Sequence, residues 1–570
     1  MIVRSVKRRV ALLMDAIEDE YQAGIVRGVA RAIGHSNIAL VCVAGGVVGD
    51  AEKDARCSRN FLFDLVEPQQ FDGFIVLSGA LGNGIGVARF AGWLERFRGA
   101  PIVALGVEVP GIHSIAVDGA AGMRAIVTHL VQAHGRRRIA FVRGPETSEE
   151  AQERYAAYRQ ALEENGVEPD PRLVAQGTWL RESGALAVRE IFEARGLGSR
   201  PVDAIVAAND YMGLGALDEL RSRGVDVPGE VALTGFDDVD ASRSVAPPLT
   251  TVRQPVEALG REGLRRLVSL MNGTDEPMVS HMVAEVTQRR SCGCAKTRTS
   301  DAPPSPRVIR RTFEAAFVER RGIILAEMAR AAQGVFVGAG NGWEERLSTA
   351  LLRDALGEEP WAFSVAIDQT LTKVQRGGGD IAASAAILAA LRRGVHACAT
   401  EDLRVSSRAD EVLDAARDLI GEWLVRAERL RANEIVHQLR EFTGMATQLV
   451  GAPEASSVRG AFEARLRGLG VPSASIGLFA EPGRIGEDCV SLVGYANRRS
   501  LAGTERFRSK DLGHPEVRGG DDALLVQPLV FGAEPLGIAT LAWGTLHEAV
   551  YEQAREILGT GLKAFLGKAS

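Results

Sequence analysis

Asp203–Asp238 reads DAIVAANDYMGLGALDELRSRGVDVPGEVALTGFDD. The short apolar run Ala204–Ala207 predicts a strand, and the segment from Tyr211 to Arg223 repeats its apolar residues at helical spacing. Gly224 follows, where a residue without Cβ closes a helix cheaply in the left-handed conformation, and Val231–Thr234 is a second apolar run. Strand, helix and strand in this order make a βαβ unit, whose two strands lie parallel. The same alternation extends outward from Arg9 to about Val286. Further strands are expected at Val10–Met14, Ile38–Val43, Gly73–Leu77, Ile102–Leu105 and Ile139–Val142. Helices are expected at Gln22–Ile33, Ala120–His134, Glu149–Asn165 and Glu182–Ala194, with Gly34, Gly135 and Gly166 as C-terminal stops. The fold class is therefore α/β with a mostly parallel sheet.

The chain has 570 residues, against roughly 150 for an ordinary domain, so three or four units are expected. Hydrophobic residues at 46% and charged residues at 25% exclude a mainly disordered, collagen-like or disulfide-scaffold protein. Lys+Arg 67 against Asp+Glu 73 gives −6, which leaves no global basic field for polyanions or an acidic membrane surface. Of six cysteines, Cys42, Cys57, Cys398 and Cys489 are scattered singly, as in a reducing compartment. The apolar start Val10–Met14 is shorter than a secretory core, and no run of about 18 apolar residues occurs. A cytoplasmic protein without membrane contact is expected.

Residues 298–307, RTSDAPPSPR, combine Pro, Ser and Thr without apolar content and read as a linker closing a first domain of residues 1–297. Residues 308–456 are Ala- and Leu-rich with helical spacing, including a stripe of Val412, Ala416, Leu419, Ile420, Trp423, Ala427 and Leu430. Residues 457–570 change again, to a helix, four strand-like runs and a closing helix, the order of a small α+β module.

Three passages carry a family resemblance: HGRRRIAFVRGPETSEEAQERYAAYRQAL from His134, the passage Asp203–Asp238, and PPLTTVRQPVEALGREGL from Pro247. In order and spacing they make Val10–Cys294 resemble the ligand-binding region of LacI/GalR-type regulators, which shares its architecture with periplasmic sugar-binding proteins. The resemblance implies two doubly wound lobes joined by crossing segments, a small molecule gripped between them, and closure as the signal. The ending RRSCGC is similar to a subgroup that lacks its own DNA-binding headpiece and is fused to signalling domains. Here the first expected strand begins almost at once, so the headpiece is expected to be missing. Arg4, Lys7, Arg8 and Arg9 read as a solvated strand flank, not a supported recognition helix. Direct DNA binding is therefore doubtful on this reading, and a homodimer is expected by side-by-side pairing as in the family.

Carried over by motif, the resemblance implies ligand contacts from Glu20 and Tyr21 after the first strand, and from Ser148, Glu150 and Arg154 after the strand ending at Val142. It adds Trp179 as an apolar wall, Asp210 after AAN, and Asp237 in GFDD. The chemistry suits a sugar-like effector: Arg offers a rigid fork of donors, Asp accepts hydroxyls, and an aromatic face packs on a ring. Each residue also has a structural reading. Arg154 can pair with a Glu of its own helix, Asp210 can cap the helix at Tyr211, Trp179 can be core, and Asp237 can belong to a turn and lobe crossing.

No cofactor or enzymatic activity is expected. Cys292-Gly-Cys294 is too close for an easy disulfide, two thiolates do not complete a four-ligand zinc site, and nine dispersed histidines suggest no metal cluster. GNGIG at residues 82–86 lacks a Walker lysine, and GGDD at residues 519–522 shares only its letters with the diguanylate cyclase signature. Residues 457–570 resemble a GAF-type sensor or dimerisation module through strand order and PLVFGAEPLGIATLAWG. The expected function is a cytoplasmic sensor of a small polar, sugar-like effector whose closure acts through the C-terminal modules on a protein partner. The alternatives are a DNA-contacting segment in the helical middle, or an enzyme beyond Val308, for which adjacent acids such as Glu358 and Glu359 do not face one site.

Overall fold

The structure is a computed structural model that describes residues 7–34, 36–49, 55–193, 202–294, 312–332, 336–398, 403–454, 456–481, 484–501, 506–518 and 523–569. The expected linker 298–307 and the GGDD at 519–522 lie outside the described residues. The chain divides into two compact units, one of residues 1–296 with 437–570 and the other of residues 297–436.

The first unit begins with strands β1 (Arg8–Met14), β2 (Ile38–Ala44), β3 (Gly73–Leu77), β4 (Ile102–Gly106) and β5 (His113–Asp118). The next four are β6 (Ile139–Arg143), β7 (Val174–Gln176), β8 (Ala204–Ala207) and β9 (Ala232–Thr234), and β10 (Thr251–Arg253), β11 (Val279–Val283) and β12 (Glu285–Thr287) follow. The first lobe is the parallel order β11-β5-β4-β3-β1-β2, and the second is the parallel order β7-β6-β8-β9. Strands β10 and β12 pair antiparallel as a separate ribbon. The chain therefore crosses between lobes three times: after β5, after β9 and between β11 and β12. Strands β1 to β4 are almost wholly buried, as expected of parallel strands covered by helices on both faces. The expected C-terminal stops hold, with Gly34, Gly135, Gly166 and Gly224 all at positive φ. Arg8 and Arg9 open β1. Arg8 donates to Asn272 Oδ1 at 2.7 Å, and the Arg9 amide donates to Asp72 Oδ2 at 2.6 Å.

The C-terminal residues of this unit form β13 (Ala474–Phe479), β14 (Asp488–Ala496), β15 (Arg499–Ser500), β16 (Arg506–Arg508), β17 (Ala523–Phe531) and β18 (Glu534–Ala542), closed by the helix Glu548–Ala569. The expected element order is present, but the segment does not stand alone. β17 pairs parallel with β2, from Ala523 opposite Leu40 to Val526 opposite Val43, so the first lobe and this antiparallel module share one sheet. They also share a core, in which Val41, Val43 and Phe61 lie with Phe479, Val526 and Ile538. Phe61 meets Phe479 edge-on at 5.8 Å between ring centroids, and Arg59 pairs with Glu552 at 2.8 Å.

The second unit is helical, with helices Phe313–Ala332, Trp343–Leu356, Ala362–Arg376 and Ala383–Ala397 and the long helix Leu403–Gly451, which continues into the first unit. Its core gathers Phe317, Leu351, Phe363, Leu391, Leu413, Ile420 and Trp423. The expected stripe is buried at Ala416, Ile420 and Trp423 but runs out at Leu430, which is 52% exposed. Trp423 Nε1 donates to Asp368 at 2.8 Å, which satisfies the indole of a large buried side chain. No described helix is long and apolar enough to cross a membrane.

Candidate functional site

The cleft between the two lobes is built where β1 and β6 end and helices begin. After β1, Asp19 caps the helix Glu20–Ile33 by accepting the Tyr21 amide at 3.0 Å, which places Tyr21 at the cleft. After β6, Ser148 caps the helix Glu149–Glu164 by accepting the Ala151 amide at 3.4 Å, so Ser148 is 3% exposed and serves the helix. One turn apart on that helix, Glu150 and Arg154 share a face.

Arg154 is the centre of the site. It is 4% exposed, its Nη1 donates to the Ala208 carbonyl at 2.8 Å, and its guanidinium lies 3.9 Å from the Phe236 ring centroid and 5.5 Å from that of Trp179. The carboxylates of Glu150 and Asp237 each stand 3.9 Å away, so neither is a tight ion pair. Asp237, at φ 113°, accepts from Gln254 Nε2 at 2.7 Å. Burial drives its carboxyl up to about 7, against the opposing pull of Arg154. Three buried polar atoms here have no protein partner: Tyr21 Oη, Arg154 Nε and Gln254 Oε1. Buried polar groups are ordinarily hydrogen-bonded, and an unsatisfied one costs about 1–3 kcal/mol. These three atoms are ones that a polar guest would satisfy. Burial also raises the carboxyls of Asp19 and Glu20, which favours their neutral forms.

The lobes meet at this site. Glu20 Oε2 accepts the Asp240 amide at 2.6 Å, and Thr147 Oγ1 donates to the Asn83 carbonyl at 2.5 Å. A β-carbon at Gly79 would lie 3.3 Å from the Glu150 carboxylate, and one at Gly106 would lie 3.2 Å from Tyr21 Oη. Trp179, at φ 70°, is half-buried; its ring fills the space that a β-carbon at Gly144 would occupy.

Tyr21, Glu150, Arg154, Trp179 and Asp237 thus come together, Glu20 bridges the rim, and Ser148 is a helix cap. Asp210 is placed otherwise. It is fully buried, with Oδ1 accepting from Thr251 Oγ1 at 2.6 Å and Oδ2 accepting the Val239 amide at 3.0 Å. Its carboxylate braces the second crossing, and burial holds its carboxyl well above the usual range. Nor is Asp210 the helix cap: Asn209 Oδ1 accepts the Met212 amide at 2.9 Å. Phe236, Gln254 and Asp19 were not singled out from the sequence. Phe236 lies in GFDD beside the candidate Asp237, and Gln254 lies in the passage from Pro247 that carries the family resemblance.

Behind the cleft, Asp238 receives Arg253 at 2.6 Å, Arg243 at 3.1 Å and Arg289. Although burial opposes ionisation there, these three guanidiniums hold its carboxyl below the usual carboxylate range. Away from the cleft, His129 and His134 lie beside Cys292 and Cys294, so the expected dispersal of histidines fails at this point.

A family model for a periplasmic binding protein-like domain matches residues 127–292. The HTH-type transcriptional regulator CelR of Thermobifida fusca is 34% identical over 262 residues, covering 46% of this chain and 72% of CelR. The HTH-type transcriptional repressor CytR of Escherichia coli strain K12 is 28% identical over 279 residues, covering 48% of this chain and 75% of CytR. Among solved structures, a CelR–cellobiose complex is 31% identical, with a TM-score of 0.41, covering 50% of this chain and 86% of that one.

Proposed function

The chain belongs, through about the first half of its length, to the LacI/GalR family of ligand-binding transcriptional regulators, and from that premise we propose that it senses a neutral polyhydroxyl effector held between its lobes. The observation that carries this reading is the set of partnerless atoms, Tyr21 Oη, Arg154 Nε and Gln254 Oε1, grouped with Glu150, Asp237 and the rings of Trp179 and Phe236. A sugar satisfies such a site: its hydroxyls donate to the carboxylates, accept from Arg154, and its apolar face packs on an aromatic ring. Asp19, Glu20, Glu150 and Asp237 repel an anionic guest to the extent that they are ionised, which favours the neutral sugar over its acid. Bound effector favours the closed arrangement by as much as it binds that arrangement better than the open one.

The proposal extends to the output. Because β17 continues the first-lobe sheet, displacement of that lobe carries the C-terminal module, which we take as GAF-like, and the long helix Leu403–Gly451 leads back from that module. A homodimer and a protein partner complete the reading.

Isothermal titration of the full chain tests the site, with cellobiose, other neutral mono- and disaccharides, nucleosides and the matching sugar acids as probes. Saturable binding of a neutral sugar, weakened in Arg154→Ala and in Asp237→Asn, supports the proposal. Unaltered binding in both variants, or preferential binding of a sugar acid, overturns it.

A further inference from the structure

The helix Gly119–His134 carries His129 and His134 at its C-terminal end, in the second lobe. After β12, the chain returns to that helix through the short turn Arg290–Cys292 and brings Cys292 and Cys294 against it. His129 Nε2 lies 3.5 Å from each sulfur, His134 Nε2 lies 3.4 Å from Cys294 Sγ, and the two Nε2 atoms are 3.2 Å apart. One donor atom from each of the four residues falls within 4.8 Å of all the others.

These separations are the edges of a metal tetrahedron. With Zn–N of about 2.0–2.1 Å and Zn–S of about 2.3 Å, ideal tetrahedral geometry puts two nitrogens ~3.3 Å apart and a nitrogen and sulfur ~3.6 Å apart. The backbone is shaped to the same end. Gly293, between the cysteines, sits at φ 106°, and a β-carbon there would lie 3.2 Å from His134 Nδ1. Only glycine delivers both thiols to one point without striking the imidazole. On the outer side of His129, the Gln288 side-chain amide lies 3.3 Å from Nδ1. Gln288 Nε2 faces Nδ1 there, and the tautomer that binds metal through Nε2 requires the amide to turn over so that Gln288 Oε1 accepts from Nδ1–H.

We propose that His129, His134, Cys292 and Cys294 bind one zinc ion as a closed, structural Cys2His2 site. Cys292 is fully buried, His129, His134 and Cys294 are half-buried, and both cysteines are free thiols. Coordination replaces two S–H bonds by two S–Zn bonds and releases two protons to solvent; nothing is oxidised or reduced. Two thiolates, two neutral imidazoles and the dication sum to zero charge, which suits a half-buried position. Four protein ligands leave no open position for a substrate, so the role is to fasten rather than to catalyse. What it fastens is the point where the chain leaves the second lobe, tied to the helix that begins that lobe. The histidines come from the start of the second lobe's chain and the cysteines from its end, so the ion closes the lobe as a ring.

The test uses the reduced full-length chain. Metal analysis after purification is expected to find one zinc per chain, lost in the double variant Cys292→Ser/Cys294→Ser. Should that variant fail to fold, the wild-type protein decides the matter alone: stripped with a chelator and titrated with cobalt(II), it is expected to show thiolate-to-cobalt charge-transfer absorption and the intense d–d bands of tetrahedral cobalt, both abolished by stoichiometric zinc. Zinc loading is also expected to protect two thiols per chain from a disulfide reagent. A chain that purifies without zinc and gives no charge-transfer band with cobalt overturns the proposal. So does a Cys292–Cys294 disulfide with no metal uptake after reduction, or full zinc content in a folded double variant.

Discussion

At the second crossing between the lobes, the front and the back of the cleft differ by one residue. Asp238, at the back, faces three guanidiniums and is held ionised below the usual carboxylate range, although its side chain is wholly buried. Asp237, at the front, has one arginine at 3.9 Å and an amide from Gln254, and burial raises it to about 7. A buried carboxyl stays ionised where enough positive charge faces it, and otherwise its proton affinity rises. The back of the crossing is saturated by the protein itself, whereas the front keeps bonding capacity in reserve.

Breaking the saturated side has the largest expected effect. Asp238→Ala leaves three guanidiniums facing one another, and the first unit is expected to lose about 3 kcal/mol in urea denaturation. The figure stands at the low end for a buried pair because Arg243 and Arg253 are 41% and 42% exposed. Since the folded carboxyl lies below its unfolded value of roughly 3.9, this stabilisation is present above that pH and is lost as pH falls through the folded value. Wild type and variant should therefore converge in stability in acid.

On the unsaturated side, Arg154→Ala is expected to weaken effector binding about tenfold to a hundredfold by titration calorimetry, the span of one or two charge-assisted hydrogen bonds. Asp210→Ala sharpens the contrast: with both its oxygens occupied by Thr251 and Val239, it should lower the denaturation midpoint more than the affinity. Asp237 gives the pH signature. Hydroxyls that donate to it favour the ionised form, so affinity should rise as pH increases from 6 to 8, by up to tenfold per unit below its titration point, and Asp237→Asn should flatten the profile. In the absence of effector the sign reverses for stability: its folded value lies above the unfolded one, so its contribution is present at low pH and is lost as pH rises towards 7. The smallest effect is expected for Ser148→Ala, about 0.5–1 kcal/mol from a lost cap whose hydrogen bond is 3.4 Å long, with affinity unchanged.

All seven strands expected of the parallel lobes are present, because each is an apolar run enclosed by helices on both faces. β11 escaped notice for the opposite reason: it alternates exposed and half-buried residues, so VSHMV makes no continuous run. β7, β10 and β12 are three residues long and take their identity from their partners. A motif that fixes position on a helix puts Glu150 and Arg154 on one face, as the structure has them. At Asp210 nothing local shows that Thr251 and Val239 arrive to occupy both oxygens. Histidines and cysteines some 160 residues apart carry no common spacing, so their meeting is a property of the closed chain alone.

The junction of β17 with β2 has a consequence for solubility. Main-chain groups along an unpaired border strand are a template on which another molecule can add a strand of its own. Residues 523–526 shield this border of the first lobe at Leu40–Val43. A chain cut after residue 456 bares it, together with the apolar side chains of Val41, Val43 and Phe61 that now rest on the module. The expected product in size-exclusion chromatography is an oligomer or aggregate. The C-terminal module thus covers a strand border that the first lobe would otherwise expose.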